Sequence, residues 1–426
     1  MAVTFGALFP EKQPGSTTYQ DLCQEEFTTN MERIVITGLG CISPLGNDVP
    51  TFWHNLMGGQ HGIGALTKLD PSGLRNNTGG EVRNFDWSPY GEEGDCDEAS
   101  QYAFAAAHEA VADAHLSETD LQAAGLAFAT NFGGASSWET ICALAGEGEP
   151  IDGELARQFS VEHAADYTAD RLGMAGPRIT VSNACSSGAT AIGVACDWLR
   201  LGRCGIALAG GHDGLGLSSL AGLSILRTIS PDICRPFDKN RNGTIFGEGA
   251  GVLVLETWSS AQRRNAKVYA ELVGWSGNNN AHHLTAPDKE GAGLCAVMTE
   301  ALRDAQVNAD DIDYINAHGT GTQYNDLAET QAIKSVLGER SASVAVSSIK
   351  AATSHTMGAA GALEAIATVL ALVHQTLPPT ICYETPDPEC NLDYVPNVAR
   401  TAAVRVAISN SSGIGGNNAS LVLRTV

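Results

Sequence analysis

A cysteine at a predicted strand-to-helix turn is the first residue of this sequence that is placed for chemistry. Cys185 follows the strand-like run 179–184 and precedes the small residues 186–189, which open a predicted helix. The positive end of a helix lowers the pKa of a thiol from its free value of about 8.5, so we expect a thiolate that attacks a thioester. Small neighbours also let a substrate carbonyl approach backbone N–H groups, as an oxyanion site requires. A buried structural cysteine is the alternative interpretation.

Two histidines stand on comparable turns in the second half of the chain. His318 opens the glycine- and threonine-rich run 318–322, and His355 follows a predicted strand and a short run of small residues. A thiolate nucleophile needs such bases or hydrogen-bond donors close by. Both histidines are therefore candidates for the active site.

Lys350 lies close to His355 in the sequence. It ends an apolar strand five residues before His355. A buried lysine needs a carboxylate partner to keep its charge. Glu329 or Asp326, both downstream of His318, is the natural partner.

The last glycine-rich run of the chain, 408–419, lies between two predicted strands. It lacks the following helix and the acidic residue that a dinucleotide-binding loop needs. We therefore expect it to supply backbone donors at the rim of an active site, and not to cradle a phosphate.

Segments of similar character occur in the same order in the two halves of the chain. In the first half, the strand-like run 125–134 precedes the strand-to-helix turn 179–192. In the second half, which opens with the strand-like run 269–274, the run 314–322 precedes 344–355. This repetition predicts a duplicated α/β unit.

The composition is that of a globular and strongly acidic protein. The 426 residues include 25 Lys plus Arg and 48 Asp plus Glu, which give a formal charge of −23. Binding to nucleic acid or to anionic lipid depends on Lys and Arg, so this charge excludes both as partners unless a local basic patch exists. The hydrophobic fraction of 43% is sufficient for a large core.

The sequence contains no recognisable targeting or membrane-spanning segment. The longest apolar run, 359–373, is interrupted by Glu364 and is too short to cross a bilayer, so we interpret it as a core helix. Residues 1–31 lack the features of a secretory signal and any hydrophobic period, and we expect them to form a flexible extension outside the core. We expect a cytoplasmic protein whose eleven cysteines, which include no CxxC pair, are reduced.

Five motifs resemble those of the elongating β-ketoacyl-acyl-carrier-protein synthases, synthase II-like condensing enzymes of the thiolase fold. Each motif alone is unspecific, but their order over residues 33–424 is highly specific. The motifs are 35–40 with 43–46, 183–188, 235–239 with 247–251, 318–322 with Asn325, Asp326 and Glu329, and 347–350 with 355–361.

The resemblance implies an α/β chain with the thiolase fold, in which two duplicated βαβαβαββ-type halves form layers in the order αβαβα. Residues 1–31 would precede this fold. Residues 32–265 would form the N-terminal half with the nucleophile, and residues 266–426 the C-terminal half with both histidines. The resemblance also implies a dimer, either with a second copy or with a related synthase subunit.

The chemistry that the resemblance implies is a decarboxylative Claisen condensation. Cys185 would take the acyl group, and His318 and His355 would stabilise the enolate that a malonyl thioester leaves when it loses carbon dioxide. The initiating synthases have a histidine and an asparagine at these places, so two histidines imply extension of a carrier-bound chain. Lys350 and Glu329 would form the ion pair that organises the histidines.

The resemblance also assigns the substrate-binding residues. Thr320 and Thr322 would meet a pantetheine arm, so the substrates would arrive on the phosphopantetheine of acyl carrier protein, and no metal or nucleotide cofactor is required. The backbone N–H of Ile414 would help to bind the oxyanion. The family usually has two phenylalanines in this turn, where this chain has Ser412 and Ile414 around Gly413. A smaller gate would widen the pocket for a long, rigid or unsaturated chain.

Carrier proteins are acidic, so docking on this acidic chain requires a local cationic patch. The candidate cations lie in one region of the sequence: Arg200, Arg203, Arg227, Arg235, Lys239 and Arg241. Two other functions stay open. An acyltransferase of the same fold would use Cys185 without forming a carbon–carbon bond, and a silent subunit that sets chain length would be expected to have lost this nucleophile. The residues favour neither a fatty acid nor a polyketide as the product.

Overall fold

One mixed sheet of ten strands carries the candidate residues. The computed structural model describes residues 32–92 and 94–426, and the predicted extension, residues 1–31, lies outside the described residues. Residues Arg33–Val426 form one compact unit. Four further strands of the described residues form two small sheets, β2/β3 and β11/β12. The fourteen strands are β1 (Ile34–Ile42), β2 (Gly64–Ala65), β3 (Thr78–Gly79), β4 (Gly125–Ala129), β5 (Arg178–Val181), β6 (Ile206–Asp213), β7 (Gly249–Thr257), β8 (Ala270–Asn279), β9 (Tyr314–Asn316), β10 (Ala345–Ser347), β11 (Thr376–Leu377), β12 (Arg400–Thr401), β13 (Val406–Ser412) and β14 (Asn417–Arg424).

The strand order of the sheet repeats between the two halves of the chain. The order is β10-β9-β13-β14-β8-β1-β7-β6-β4-β5, so five strands of each half follow the same sequence outward from the β1/β8 contact. The directions repeat too, because β4/β6 and β9/β13 are parallel whereas β6/β7 and β13/β14 are antiparallel. The predicted duplication is therefore confirmed. The boundary predicted between residues 265 and 266 falls in the connection before β8 and stays a prediction.

Helices cover the sheet and separate its halves. They follow the strands along the chain, as expected of an α/β protein. The helices are α1 (Val49–Met57), α2 (Glu98–Ala114), α3 (Glu118–Ala123), α4 (Ala135–Glu147), α5 (Gly153–Gln158), α6 (His163–Leu172), α7 (Ser187–Arg200), α8 (Leu217–Ile225), α9 (Trp258–Arg263), α10 (Ala292–Ala305), α11 (Gln323–Leu337), α12 (Lys350–Thr353) and α13 (Ala360–His374).

The helices α7 and α13 form the central layer. Each contacts strands of both halves of the sheet, whereas α2 contacts β1, β6 and β7, and α10 contacts β8 and β14. The layers therefore run αβαβα, as predicted. The two central helices pack closely, since a Cβ at Gly361 would lie 2.6 Å from the backbone nitrogen of Ala189. Only glycine permits this approach at Gly361.

The helix α13 is buried from Ala360 to Leu372. Met357–His374 is the one segment of the described ranges that is long and apolar enough to cross a membrane, and 89% of it lies inside the protein. The interpretation of this segment as a core helix is confirmed. Glu364 is its one carboxylate, and it lies in the middle layer next to the active-site cavity described below.

Candidate active site

Cys185 lies on a strained turn between β5 and α7. The preceding residue, Ala184, has a φ of 58°, which is unfavourable for any residue with a side chain. Ser187 holds the turn, because its Oγ accepts a hydrogen bond from the backbone nitrogen of Asn183 at 2.8 Å and donates to the carbonyl of Ala184 at 2.5 Å. The turn points the thiol of Cys185 into a cavity of about 360 Å³.

The surroundings of the Cys185 thiol oppose the thiolate that its place at a helix start predicts. Burial raises its pKa to about 11, although Lys350 and the backbone N–H groups of Ile414 and of Cys185 itself lower it. The thiol precedes α7 by two residues and is only 8% exposed. The cost of burying the thiolate form away from water therefore outweighs the stabilisation of its charge by the helix end and by Lys350.

The two predicted histidines meet the thiol. The sulfur of Cys185 and one ring nitrogen each of His318 and His355 lie within 4.8 Å of one another. The ring centroids of the histidines are 5.4 Å apart, with an interplanar angle of 84°. The fold thus brings together a residue of the first half and two residues of the second, as predicted.

Both histidines are neutral, and their hydrogen bonds define the tautomer. Burial and the charge of Lys350 hold the pKa of His318 and of His355 well below the usual value. Nδ1 of His355 accepts a hydrogen bond from the backbone nitrogen of Met357 at 3.2 Å. Nδ1 of His318 lies 3.1 Å from Nζ of Lys350, and an ammonium can only donate. In each neutral ring the proton is therefore on Nε2, and Nε2 is the nitrogen left to face Cys185.

This donor set fits an anion better than a metal ion. Cysteine and histidine are common zinc ligands, and these three side chains are close enough to share an ion after small movements. A metal would need a lone pair on Nε2, however, and the contacts of both Nδ1 atoms place a proton there. The site as bonded presents two N–H donors to a negatively charged oxygen.

The carboxylate partner of Lys350 is Glu364, and the predicted pairing with Glu329 or Asp326 is wrong. Nζ of Lys350 donates to Glu364, to the carbonyl of His318 at 2.5 Å and to Nδ1 of His318, which uses all three of its protons. Glu329 instead accepts hydrogen bonds from the backbone nitrogens of His318 and Gly319, each at 2.8 Å. Glu329 therefore fixes the backbone of the His318 turn.

The positions of Asp326 and Glu364 explain why the sequence did not reveal the carboxylate partner of Lys350. Asp326 accepts from the backbone nitrogen of Phe237 at 2.7 Å and thereby holds a neighbouring loop. In the sequence, Glu364 is recognisable only as an interruption of an apolar run. A single carboxylate in a helix that is otherwise buried was the signal for its role, because a buried charge needs a partner.

The predicted substrate-binding residues all line the cavity. Thr320, Thr322, Ser412, Gly413 and Ile414 lie there together with the nucleophile and both histidines. Gly413 lies against the nucleophile turn, where a Cβ would be 3.0 Å from the backbone nitrogen of Cys185. The glycine-rich turn thus forms the rim of the site, as predicted from its sequence.

Sequence reasoning missed the aromatic wall of the cavity. Phe246 lines it and stacks on His355, with ring centroids 5.4 Å apart and an interplanar angle of 27°. Ile414 and Phe246 belong to the same cluster of apolar side chains. Only two apolar residues, Ile245 and Phe246, stand between the polar run 240–244 and Gly247, and the sequence gives no sign that one of them faces the active site.

The sequence of this chain matches two family models that together span most of its length. The β-ketoacyl synthase N-terminal domain matches residues 31–261, and the corresponding C-terminal domain matches residues 269–384. The chain belongs to the β-ketoacyl synthase family. It is thus an acyl-transferring condensing enzyme, and the site described above lies where its two matched domains meet.

Individual relatives agree with this assignment. The chain is 38% identical over 407 residues to a 3-oxoacyl-[acyl-carrier-protein] synthase 2 of Synechocystis, covering 92% of this chain and 98% of the relative. It is 40% identical over 412 residues to a putative polyketide β-ketoacyl synthase 1 of Streptomyces halstedii, covering 92% and 97%.

Solved structures are similar over the same length. The ishigamide ketosynthase/chain length factor superposes with a TM-score of 0.89 at 38% identity, covering 93% of this chain and all of that chain. A type II polyketide ketosynthase in complex with its acyl-carrier protein superposes with a TM-score of 0.86 at 32% identity and the same coverage. The thiolase fold that the motifs predicted is therefore confirmed.

Proposed function

We propose that this enzyme elongates an acyl chain carried by acyl carrier protein, with Cys185 as the nucleophile and His318 and His355 as the enolate-stabilising pair. One observation carries the proposal: a thiol and two neutral imidazoles, both presenting Nε2–H, lie within 4.8 Å of one another. Substrates on a phosphopantetheine arm need no further cofactor.

The first half-reaction transfers the acyl group to Cys185. The thiol loses its proton, and the sulfur attacks the carbonyl carbon of the acyl thioester. Backbone N–H groups of Cys185 and Ile414 stabilise the resulting oxyanion. The carbon–sulfur bond to the carrier breaks, and the departing pantetheine thiolate takes up the proton that Cys185 released. The field of Lys350 offsets part of the cost of ionising a buried thiol.

The second half-reaction forms the new carbon–carbon bond. A malonyl thioester enters along Thr320 and Thr322 and loses carbon dioxide, and the electron pair of the broken bond forms an enolate. Hydrogen bonds from His318 and His355 stabilise the enolate oxygen, each worth about 3 kcal/mol if a lost oxyanion donor is a fair guide. The enolate carbon attacks the acyl-cysteine, the carbon–sulfur bond breaks, and Cys185 leaves as a thiolate that takes up a proton from solvent.

Malonyl-carrier protein labelled in its free carboxyl group tests this sequence of steps. We expect labelled carbon dioxide to be released. When a carrier protein loaded with an acyl group is also present, we expect a β-ketoacyl product to form. Intact-mass spectrometry should find the acyl group on Cys185, and Cys185→Ala should abolish this acylation. His318→Ala and His355→Ala should still be acylated but should lose decarboxylation. Acyl transfer to an amine or alcohol without release of label would instead identify an acyltransferase that forms no carbon–carbon bond.

The carrier protein docks, in this proposal, beside Arg227 at the mouth of the cavity. Three of the six candidate cations already form ion pairs with acidic residues of this chain. Arg200 pairs with Asp304 at 2.8 Å, Arg235 with Asp232 at 2.7 Å and Arg241 with Asp387 at 2.5 Å. Arg227, by contrast, is exposed and lines the cavity. The exposed Arg75 lies next to it and donates to its carbonyl at 3.2 Å.

Charge reversal tests this docking site. Arg227→Glu should raise the KM for acyl-carrier protein about tenfold or more and leave the rate with a small thioester unchanged, because only the carrier is acidic. Arg303→Glu is the matched control, since Arg303 is exposed on α10 and does not line the cavity. Equal KM values of the two variants for acyl-carrier protein would show that Arg227 is not part of the docking site.

The partner subunit pairs, in this proposal, with the edge strand β5. This strand ends the sheet, its residues Arg178 and Ile179 are exposed, and the chain runs from it directly to Cys185. Trp138 and Phe159, stacked 4.8 Å apart and each about 40% exposed, offer apolar area as well. Light scattering of the purified chain should give twice its mass of 44.4 kDa if a second copy is the partner. A monomer that pairs only with a co-expressed related synthase subunit would identify a heterodimer.

The place of the enzyme in the cell is part of the same proposal. We assign it to the cytoplasm, where carrier-bound malonyl and acyl groups would be its substrates. The relatives include a 3-oxoacyl-[acyl-carrier-protein] synthase 2 and a putative polyketide β-ketoacyl synthase 1. The pathway is therefore decided by which carrier protein, that of fatty-acid or that of polyketide synthesis, acylates Cys185 faster.

A further inference from the structure

Phe246 lies between the polar and the apolar parts of the active-site cavity. One face of its ring stacks on His355, as described above. The backbone fixes this arrangement from both sides, because the nitrogen of His355 donates to the carbonyl of Ile245 at 2.7 Å and the nitrogen of Gly247 donates to the carbonyl of His355 at 3.0 Å. The ring of Phe246 is 4% exposed and therefore has little freedom to leave this position.

The other contacts of Phe246 are apolar. It belongs to a cluster with Leu215, Leu220, Leu223 and Ile229, against which Ile414 packs. Phe246 and Ile414 both line the cavity into which the thiol of Cys185 points. An acyl group on Cys185 that extends into this cluster is therefore bounded by an aromatic ring on one side and by a small aliphatic gate on the other.

We infer that Phe246 has two functions: it is a positioning residue for His355, and it is the wall of the acyl site that limits chain length. The inference rests on the proposed function. Within the described part of the chain, the imidazole of His355 has one hydrogen bond, at Nδ1, and the ring could still rotate about that contact. The stacked ring of Phe246 prevents this rotation of the imidazole and keeps Nε2–H directed at the enolate oxygen. The same ring fills space that a longer acyl chain would otherwise occupy.

Two substitutions separate the two functions. Phe246→Ala removes both the flat ring and its volume, whereas Phe246→Leu keeps most of the volume and removes the stacking. Phe128→Leu is the matched control, because Phe128 is buried on β4 and does not line the cavity. The readouts are carbon dioxide release from malonyl-carrier protein and the rate of acylation of Cys185 by saturated acyl-carrier proteins of increasing length.

We expect Phe246→Ala to lower kcat for decarboxylation about tenfold with the KM for malonyl-carrier protein unchanged, and to shift the acylation preference about tenfold towards longer chains. Phe246→Leu should show the lower kcat with the chain-length preference of the native enzyme. If one variant fails to fold, the other still tests the positioning of His355. The inference is overturned if a folded variant matches Phe128→Leu in both readouts. A native enzyme that neither releases carbon dioxide nor becomes acylated would overturn the proposed function itself, and this inference with it.

Discussion

Nζ of Lys350 lies 3.1 Å from Nδ1 of His318 while it also pairs with Glu364, so one buried cation links a histidine of the active site to a carboxylate of the central helix α13. This contact determines which nitrogen of His318 carries the proton. The catalytic tautomer thus depends on a residue that does not itself touch the substrate.

Glu364→Gln should lower decarboxylation about 100-fold, as expected when one oxyanion donor is lost. Without its carboxylate the buried ammonium is unpaired and must lose its proton or move, and then Nδ1 of His318 no longer has a fixed donor. Release of labelled carbon dioxide measures the effect. Glu329→Gln is the control, and it should cost less because an amide oxygen can still accept a backbone N–H. The reverse order of the two effects would restore Glu329 as the functional partner of Lys350.

Alkylation of Cys185 by iodoacetamide should accelerate about tenfold per pH unit between pH 7 and pH 9. The pKa of this thiol is raised to about 11 by burial, so in this range the thiolate fraction grows in proportion to hydroxide. The rate is followed by mass spectrometry of the peptide that contains Cys185, with the exposed Cys142 as internal reference. A rate that levels off above pH 8 would show that the thiol is already ionised, as the sequence predicted.

The sequence predicted the fold and the three reacting side chains because both depend on local patterns. Glycines and small residues around Cys185 and His318 are requirements of tight turns, and they recur in any sequence that forms those turns. The charge of the thiol and the partner of Lys350 could not be read in the same way. Each depends on how deeply α7 and α13 are enclosed between the halves of the sheet, and thus on desolvation by residues far away in sequence.

Phe246 shows the same limit for packing. The residues around Phe246 do not alternate in polarity or in size, so the sequence gives no sign that its ring faces a cavity. Its position follows from the pairing of residues 245–247 with His355, which lie more than 100 residues apart. Contacts of this kind are decided by the tertiary fold, and propensity or periodicity does not reveal them.

Gly413→Ala should slow acylation of Cys185 about tenfold or more. The added Cβ would lie 3.0 Å from the backbone nitrogen of Cys185 and 3.1 Å from Cβ of Ala184, so the turn must move and the two oxyanion donors with it. Single-turnover acylation followed by intact mass measures the change. Gly146→Ala is the matched control, because a Cβ at this exposed site of α4 meets nothing within 4 Å. Equal rates for the two variants would show that Gly413 is not needed for the oxyanion site.

Ile414→Phe should narrow the acyl selectivity of the enzyme. A phenylalanine at this position adds an aromatic side chain to the cluster that already contains Phe246, and the space left for a long acyl chain becomes smaller. Acylation of Cys185 by acyl-carrier proteins of increasing length should then decline about tenfold more steeply than in the native enzyme. An unchanged length profile would show that the gate does not determine selectivity.

Glu109 should make the protein less stable as pH rises from about 4.5 to 7. Its carboxylate accepts the backbone N–H groups of Cys41 and Val49, each at 2.8 Å, but burial raises its pKa from 4.5 to about 7, with smaller contributions from Asp48 and Asp113. The folded state therefore holds this proton more tightly than the unfolded state does. The stabilisation is complete below pH 4.5 and is lost as pH rises through 7, by about 3 kcal/mol at 1.36 kcal/mol per unit of pKa.

Glu109→Gln isolates this contribution, because an amide does not titrate. The substitution also removes one of the two accepted hydrogen bonds, but that cost is the same at every pH. We therefore expect the difference in unfolding free energy between the native protein and the variant, measured by urea titration, to fall by about 3 kcal/mol between pH 4.5 and pH 8. Parallel stability curves over this range would mean that Glu109 ionises equally in the folded and unfolded states, and that its backbone hydrogen bonds compensate fully for its burial.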